Sequence, residues 1–257
     1  MTAGIRPTTY LVSNGNGLHP VDGAVIEETT VRLNVNGREL AAFMCSPVEL
    51  EALALGFLRS EAIIEEMDEI ATLVCSPSCA AVDIWLHHDL PPIAQPIRTS
   101  GCGGGLTYDD LTQTRSPLPA GICVTTQTII DRYYDMRAAE RLYPAARGVH
   151  TSGLCTADQL LIIGEDVGRH NTIDKLWGEA MRRDIDPTGG IIVTTGRISS
   201  EMLGKAAKMG VPIVASRTSP TSRALDLAQA WNITVIGYIR RNSLRVYTAP
   251  ERVTNNK

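Results

Sequence analysis

Hydrophobic and polar positions alternate along residues 30–44, TVRLNVNGRELAAFM, on both sides of Asn36-Gly37. That pattern predicts a β-hairpin closed by a two-residue turn. Ser46, Pro47 and Glu49 follow with an N-cap, a proline at the first helical position and a capping-box glutamate, which predict a helix through about Arg59. The runs EIATLVC and AAVDIWLH read as two further strands, and a glycine-rich stretch and a short helix from Tyr108 close this first region. RSPLPAGI, residues 115–122, carries two prolines and is the expected boundary.

The pattern changes beyond it. TQTIIDRYYDMRAAERLY has the period of an amphipathic helix stopped by Pro144, and GVHTSGLC and QLLIIGED read as strands. Helical and apolar runs then alternate: NTIDKLWGEAMRR, GGIIVTTG, SSEMLGKAAKM, VPIVASR, SPTSRALDLAQAW and ITVIGYIR, with LRVYT as a last short strand. Apolar strands separated by helices predict βαβ units in a mainly parallel sheet covered on both faces. The fold class is therefore α/β, with a smaller α+β domain over 1–118 and a larger α/β domain over 119–257.

Composition changes this picture little. The 257 residues are 44% hydrophobic, 20% charged and 5% aromatic, as in an ordinary globular protein. No apolar run reaches the roughly 20 residues of a membrane span and the N-terminus lacks a signal core, so a cytoplasmic chain with reduced thiols and no membrane partner is expected. Charge is more informative. Residues 1–128 hold six arginines and no lysine against 15 acidic residues, whereas the remainder holds 18 basic against 13 acidic, which makes the C-terminal half the anion-facing one. Basic patches interleaved with aromatics are absent, so nucleic acid is not an expected partner.

Candidate chemistry concentrates in a few places. Cys102 lies in TSGCGGGL, where glycines leave the thiol reachable from several directions, while the plainer reading is a tight turn. Three junctions, 164–171 (GEDVGRHN), 194–201 (TTGRISSE) and 216–223 (SRTSPTSR), place arginines and hydroxyls at expected helix starts, where free N–H groups suit phosphates. Plain N-capping is the structural alternative for each. None is a Walker loop or a dinucleotide fingerprint. His150 or His170 with Cys102 would suggest a cysteine hydrolase, but no oxyanion-hole motif accompanies either. Cys75 and Cys79 with His87 and His88 match no common zinc pattern, so no zinc is expected. Cys45, Cys123 and Cys155 read as core.

Taken in order, TSGCGGG, RGVHTSGL, GEDVGRHNTIDKL, TTGRISSEM, ASRTSPTSRALDLA and GYIRRNSLRVYT resemble the formate dehydrogenase accessory sulfurtransferase family, FdhD, from about residue 20 to 250. The resemblance implies a three-layer α/β/α larger domain similar to cytidine deaminases. It implies a chain that takes persulfide sulfur from a cysteine desulfurase and passes it to molybdenum bis(molybdopterin guanine dinucleotide) before that cofactor enters formate dehydrogenase. Cys102 matches the persulfide-carrying cysteine; Gly105 stands where many members have a second one. The family's cofactor-binding segment falls on Tyr238, Ile239, Arg240, Arg241, Asn242 and Ser243, to which Arg197 and His170 are added from the junctions. Guanine nucleotides would bind as fragments of the cofactor. The near-twofold cofactor would suit a homodimer. The alternative is a non-catalytic cofactor or guanine-nucleotide binder in which Cys102 only packs. A zinc deaminase is a poor rival, because His150 has no glutamate two residues on and no PCxxC occurs.

Overall fold

The computed structural model describes residues 3–76, 78–90, 97–98, 106–107 and 115–255. It opens with a hairpin that the alternation did not reveal, β1 (Ile5–Ser13) against β2 (Leu18–Ile26). The expected hairpin follows as β3 (Thr29–Val35) and β4 (Arg38–Cys45), with Asn36 and Gly37 at φ 50° and 75°. Positive φ at both positions is what this turn demands. Helix α1 (Leu50–Ser60) and strands β5 (Ile70–Cys75) and β6 (Ala81–Leu86) complete a four-stranded sheet in the order β4-β3-β6-β5, with α1 on one face.

The start of α1 departs from the expectation. Ser46, Pro47 and Glu49 precede the helix, and Glu49 is left-handed at φ 54°. Ser46 is not an N-cap because a distant partner takes it: its N–H donates to Asp166 Oδ2 (3.2 Å) and its Oγ accepts the Val167 N–H (3.2 Å). A tertiary tie has replaced a local one.

Short strands β7 (Ile97–Arg98) and β8 (Leu106–Thr107) pair antiparallel, and Cys102, Gly105 and the expected helix from Tyr108 lie outside the described residues. The larger unit then runs β9 (Val124–Thr125), α2 (Thr126–Ala139), α3 (Leu142–Ala146), β10 (His150–Cys155), β11 (Leu160–Asp166), α4 (Arg169–Arg182), β12 (Ile191–Thr194), α5 (Ser200–Lys208), β13 (Ile213–Ser216), α6 (Ser222–Ala230), β14 (Thr234–Arg240), β15 (Ser243–Val246) and β16 (Val253–Thr254). Pro144 does not stop the helix before it. That helix ends at Ala139, and Pro144 sits inside α3, whose first backbone N–H groups, on Leu142 and Tyr143, are capped by the Glu165 carboxylate from β11.

The main sheet has the order β11-β10-β12-β13-β14-β15. It is mixed rather than mainly parallel: β12–β13 and β13–β14 are parallel, whereas β10 runs against both of its neighbours and β15 against β14. The reason is that β10–β11 and β14–β15 are joined by short turns, which only antiparallel neighbours permit. Both faces are covered as expected. Ile192, Val214 and Val235 pack under α4, α5 and α6, and the alternate Ile191, Val193, Ile213 and Ile236 pack under α2, giving three layers. Cys155 joins the α2 layer, but Cys123 is exposed rather than core.

The two units meet where α1 crosses α4. A Cβ on Gly56 would collide with the Asp174 carbonyl and one on Gly178 with that of Ala52, so the helix backbones touch. Any side chain there would push the helices apart.

Candidate functional site

Strand direction assembles the site. Because β10 is antiparallel to both β11 and β12, strands β11, β12, β13 and β14 all point the same way. Their carboxyl ends, Asp166, Thr194, Ser216 and Arg240, therefore share one edge of the sheet with the start of β10 at His150, which is paired with Asp166. This is where open α/β sheets bind ligands.

The first junction is spent on structure. Asp166 Oδ1 accepts the Gly168 N–H (2.8 Å) and Asn171 Nδ2 (2.9 Å), while Oδ2 holds buried Lys175 Nζ at 2.7 Å. Asn171 also donates to the Met44 carbonyl at 3.0 Å. His170 is buried: its Nε2 lies 2.9 Å from Ser199 Oγ and its Nδ1 3.4 Å from Glu201 Oε2. An Nδ1–H facing the carboxylate, with Nε2 accepting the Ser199 hydroxyl, satisfies both contacts. Burial, reinforced by Lys205, Arg169, His150 and Arg197, pushes its pKa down to about 2. His170 is neutral and positions its neighbours. Half-buried His150 is lowered too, by burial and then by Arg169.

Behind His170 runs a buried ionic chain that local reading missed. Lys205 Nζ reaches Asp174 Oδ2 on α4. Burial would discharge Lys205, but Asp174 and Glu201 raise its pKa, and burial pushes Asp174 up to about 6. The signal was present as Glu201 and Lys205 four residues apart on the inward face of α5.

The second and third junctions are N-capped by Ser199 and Thr221, which accept the N–H groups of Met202 and Ala224. The structural alternative holds for both caps. The two loops are joined by a bridge between Ile198 and Pro220 and by the Ser216 hydroxyl donating to the Gly196 carbonyl at 2.6 Å. Arg197 stands exposed beside them.

The segment from Tyr238 to Ser243 is the β14–β15 turn at the same edge. Pairing shifts register between Gly237 and Arg240, and Tyr238 adopts φ 54° within this bulge. Left-handed backbone at a non-glycine residue in a strand is a strain that clusters at functional sites. The bulge sets the Tyr238 ring beside two guanidiniums, 4.2 Å from Arg245 and 6.0 Å from Arg240. The carbonyls behind it are held by arginine: Arg217 Nη1 donates to Ile239 O (3.1 Å) and Arg240 Nη1 to Arg217 O (3.0 Å). The Ile239 side chain is buried in the α2 layer, so only its backbone faces the edge. Arg240, Arg241, Asn242, Ser243 and Arg245 are exposed. Arg245 was missed because it lies in LRVYT, read only as a strand.

The β5–β6 register sets Cys75 apart from His87 and His88: Cys75 lies opposite Val82, while the two histidines follow Leu86, opposite Ile70. Burial pushes Cys45 and Cys155 up to about 12 and raises Cys75.

The model of the FdhD/NarQ family matches residues 26–254. The chain belongs to that family. Among FdhD relatives, a sulfur carrier protein FdhD of Shouchella clausii is 35% identical with 91% of each chain covered, and one of Bacillus subtilis is 34% identical with 91% of each covered. A crystal structure from Desulfotalea psychrophila, described as that of a formate dehydrogenase accessory protein, superposes with a TM-score of 0.82 at 28% identity, covering 98% of this chain and all of that one. The FdhD fold thus extends over nearly the whole chain. Among the described residues no helix is long and apolar enough to cross a membrane.

Proposed function

We propose that this chain is a sulfur carrier serving formate dehydrogenase, in which Cys102 takes a sulfane sulfur from a cysteine desulfurase and delivers it to molybdenum bis(molybdopterin guanine dinucleotide). In the loading step the Cys102 thiolate attacks the outer sulfur of the donor persulfide; a new S–S bond forms and the donor leaves as a thiolate. The cofactor is the substrate. Arg197, Arg240 and Arg241 suit its phosphates, and the ring of Tyr238 with Arg245 offers a stacking face for guanine. The observation that carries the reading is the single edge on which four strand ends and the Tyr238–Ser243 turn converge in an FdhD chain.

The working division is 1–118, carrying Cys102, and 119–257, carrying the cofactor edge. A homodimer would present two such edges to the two arms of the cofactor. The test is Cys102→Ala in cells: formate dehydrogenase activity should be lost while GDP binding by the purified protein persists. Full activity would leave the second reading, a non-catalytic guanine-nucleotide or cofactor chaperone, which the same exposed edge favours. Light scattering with and without GDP tests the dimer, and a monomer in both conditions refutes it.

A further inference from the structure

Away from that edge, two cysteines flank the β5–β6 turn and line one cavity. The Ser76 N–H donates to the Ala81 carbonyl (2.9 Å), and the Cys79 N–H donates to the Ser76 carbonyl (2.8 Å). Ser76 Oγ accepts the N–H groups of Ala80 (3.0 Å) and Ala81 (3.1 Å). These bonds fold the chain back on itself and set Cys79, left-handed at φ 53°, on the wall of the same cavity as Cys75 at the end of β5. The Cys75 thiol itself lies 3.8 Å from the Ser76 carbonyl at the centre of this turn. Both are half-buried against the core of the smaller unit, and both line a cavity of about 220 Å³ beside Glu49, Glu51 and Arg182. Small core cysteines would need neither a shared cavity nor a left-handed backbone, which costs roughly 1 kcal/mol at a non-glycine residue.

We propose that Cys75 and Cys79 are an oxidisable dithiol, which a small peroxide entering this cavity converts to an intramolecular disulfide. One thiolate attacks a peroxide oxygen and the O–O bond breaks. With hydrogen peroxide, one oxygen remains on sulfur as a sulfenic acid and the other leaves as water. The second thiol then displaces the retained oxygen as a second water and the S–S bond forms. Two electrons and both thiol hydrogens pass to the peroxide. Proximity makes the second step intramolecular and fast. Cys45, although close by, is buried and held as a thiol. The new bond would lock the turn beside the seam where Arg182 of α4 pairs with Glu51 of α1 at 3.1 Å.

The experiment uses the full-length protein, near-stoichiometric hydrogen peroxide, dimedone to trap sulfenic acids and an alkylating quench. The tryptic peptide 60–98 carries both cysteines and no internal lysine or arginine. Mass spectrometry should show it lighter by two hydrogens, without a dimedone adduct, before exposed Cys123 is oxidised. Cys75→Ser and Cys79→Ser should each abolish that species and leave a dimedone adduct on the remaining thiol. A wild-type peptide that keeps both thiols alkylatable while Cys123 reacts, or that carries dimedone without the cross-link, overturns the proposal. The readout involves neither Cys102 nor GDP, so it stands or falls apart from the sulfur-carrier reading.

Discussion

The β11–α4 junction and the β14–β15 turn end on the same edge of one sheet, yet they use their polar residues in opposite ways. At the first, Asp166 binds Lys175, Asn171 and the N–H groups of Ser46 and Gly168, and Glu165 caps α3. At the second, Arg240, Arg241 and Arg245 are exposed and only Arg240 is tied to backbone carbonyls behind it. GEDVGRHN is the more distinctive run of residues, and YIRRNSLR the one that faces outward. Distinctive polar sequence thus records what burial demands at least as often as what a ligand demands, because each buried charge needs a matched partner.

The largest effect should come from breaking the inward-facing junction. Asp166→Ala strips Lys175 of its carboxylate and leaves the Gly168 and Ser46 N–H groups unpaired in the interior. Removing one partner of a buried pair costs about 3–5 kcal/mol, read as a fall in the urea midpoint. Unchanged stability with lost GDP affinity would reverse the roles assigned to the two regions.

The opposite signature is expected at the turn. Arg240→Ala with Arg241→Ala should weaken GDP binding by about 2–3 kcal/mol in calorimetry, because charge-assisted bonds to phosphate are lost. Stability should move by no more than about 1 kcal/mol, since both side chains are solvent-facing. Equal affinity would remove the turn from the site.

Acid should separate the regions a third time. The folded-state pKa of His170 lies below the ordinary histidine value of 6.5, at about 2, because the imidazole is buried. Its contribution to stability is therefore complete above pH 6.5 and is lost as pH falls toward 2, at about 1.4 kcal/mol per pH unit for one proton. His150, also lowered, adds to the slope. His170→Gln keeps a polar group beside Ser199 and Glu201 but cannot titrate, so urea unfolding of this variant at about pH 7 and pH 5 should show a shallower loss than wild type. An identical slope would mean that His170 does not titrate as a buried neutral base.

What was legible in the sequence follows from the range of the interactions. The turn at Asn36-Gly37 and the strands of β12 to β14 depend on local conformation and unbroken apolar runs, and they stand as expected. Ser46-Pro47-Val48-Glu49 also looks local, but Asp166, 120 residues away, takes Ser46. The break after Ala139 depends in the same way on Glu165. For the site, YIRRNS was reached through the resemblance to FdhD chains, with Arg240 and Arg241 following a strand. The bulge that aims Tyr238 leaves no trace in residue type, since left-handed backbone normally selects glycine or asparagine.

Tyr238→Gly isolates that bulge and should have the smallest effect, one that splits in sign. Tyr238 stores strain of roughly 1 kcal/mol at φ 54°. Glycine adopts this angle freely, and the bulge is held by bonds that need no tyrosine ring: Tyr238 N–H to Thr218 O at 3.1 Å and Arg217 to Ile239 O. Relief of strain is partly offset by the larger entropy of glycine in the unfolded chain and by loss of the Arg245 stack, worth about 0.5–1 kcal/mol at an exposed site. Stability should therefore change by less than about 0.5 kcal/mol in urea unfolding. GDP affinity should still fall severalfold, because the ring that Arg240 and Arg245 flank is the stacking face assigned to guanine. A glycine variant that gains about 1 kcal/mol of stability and binds GDP as wild type does would show that the strained tyrosine serves no ligand, leaving the arginines alone to distinguish this turn from the buried junction beside it.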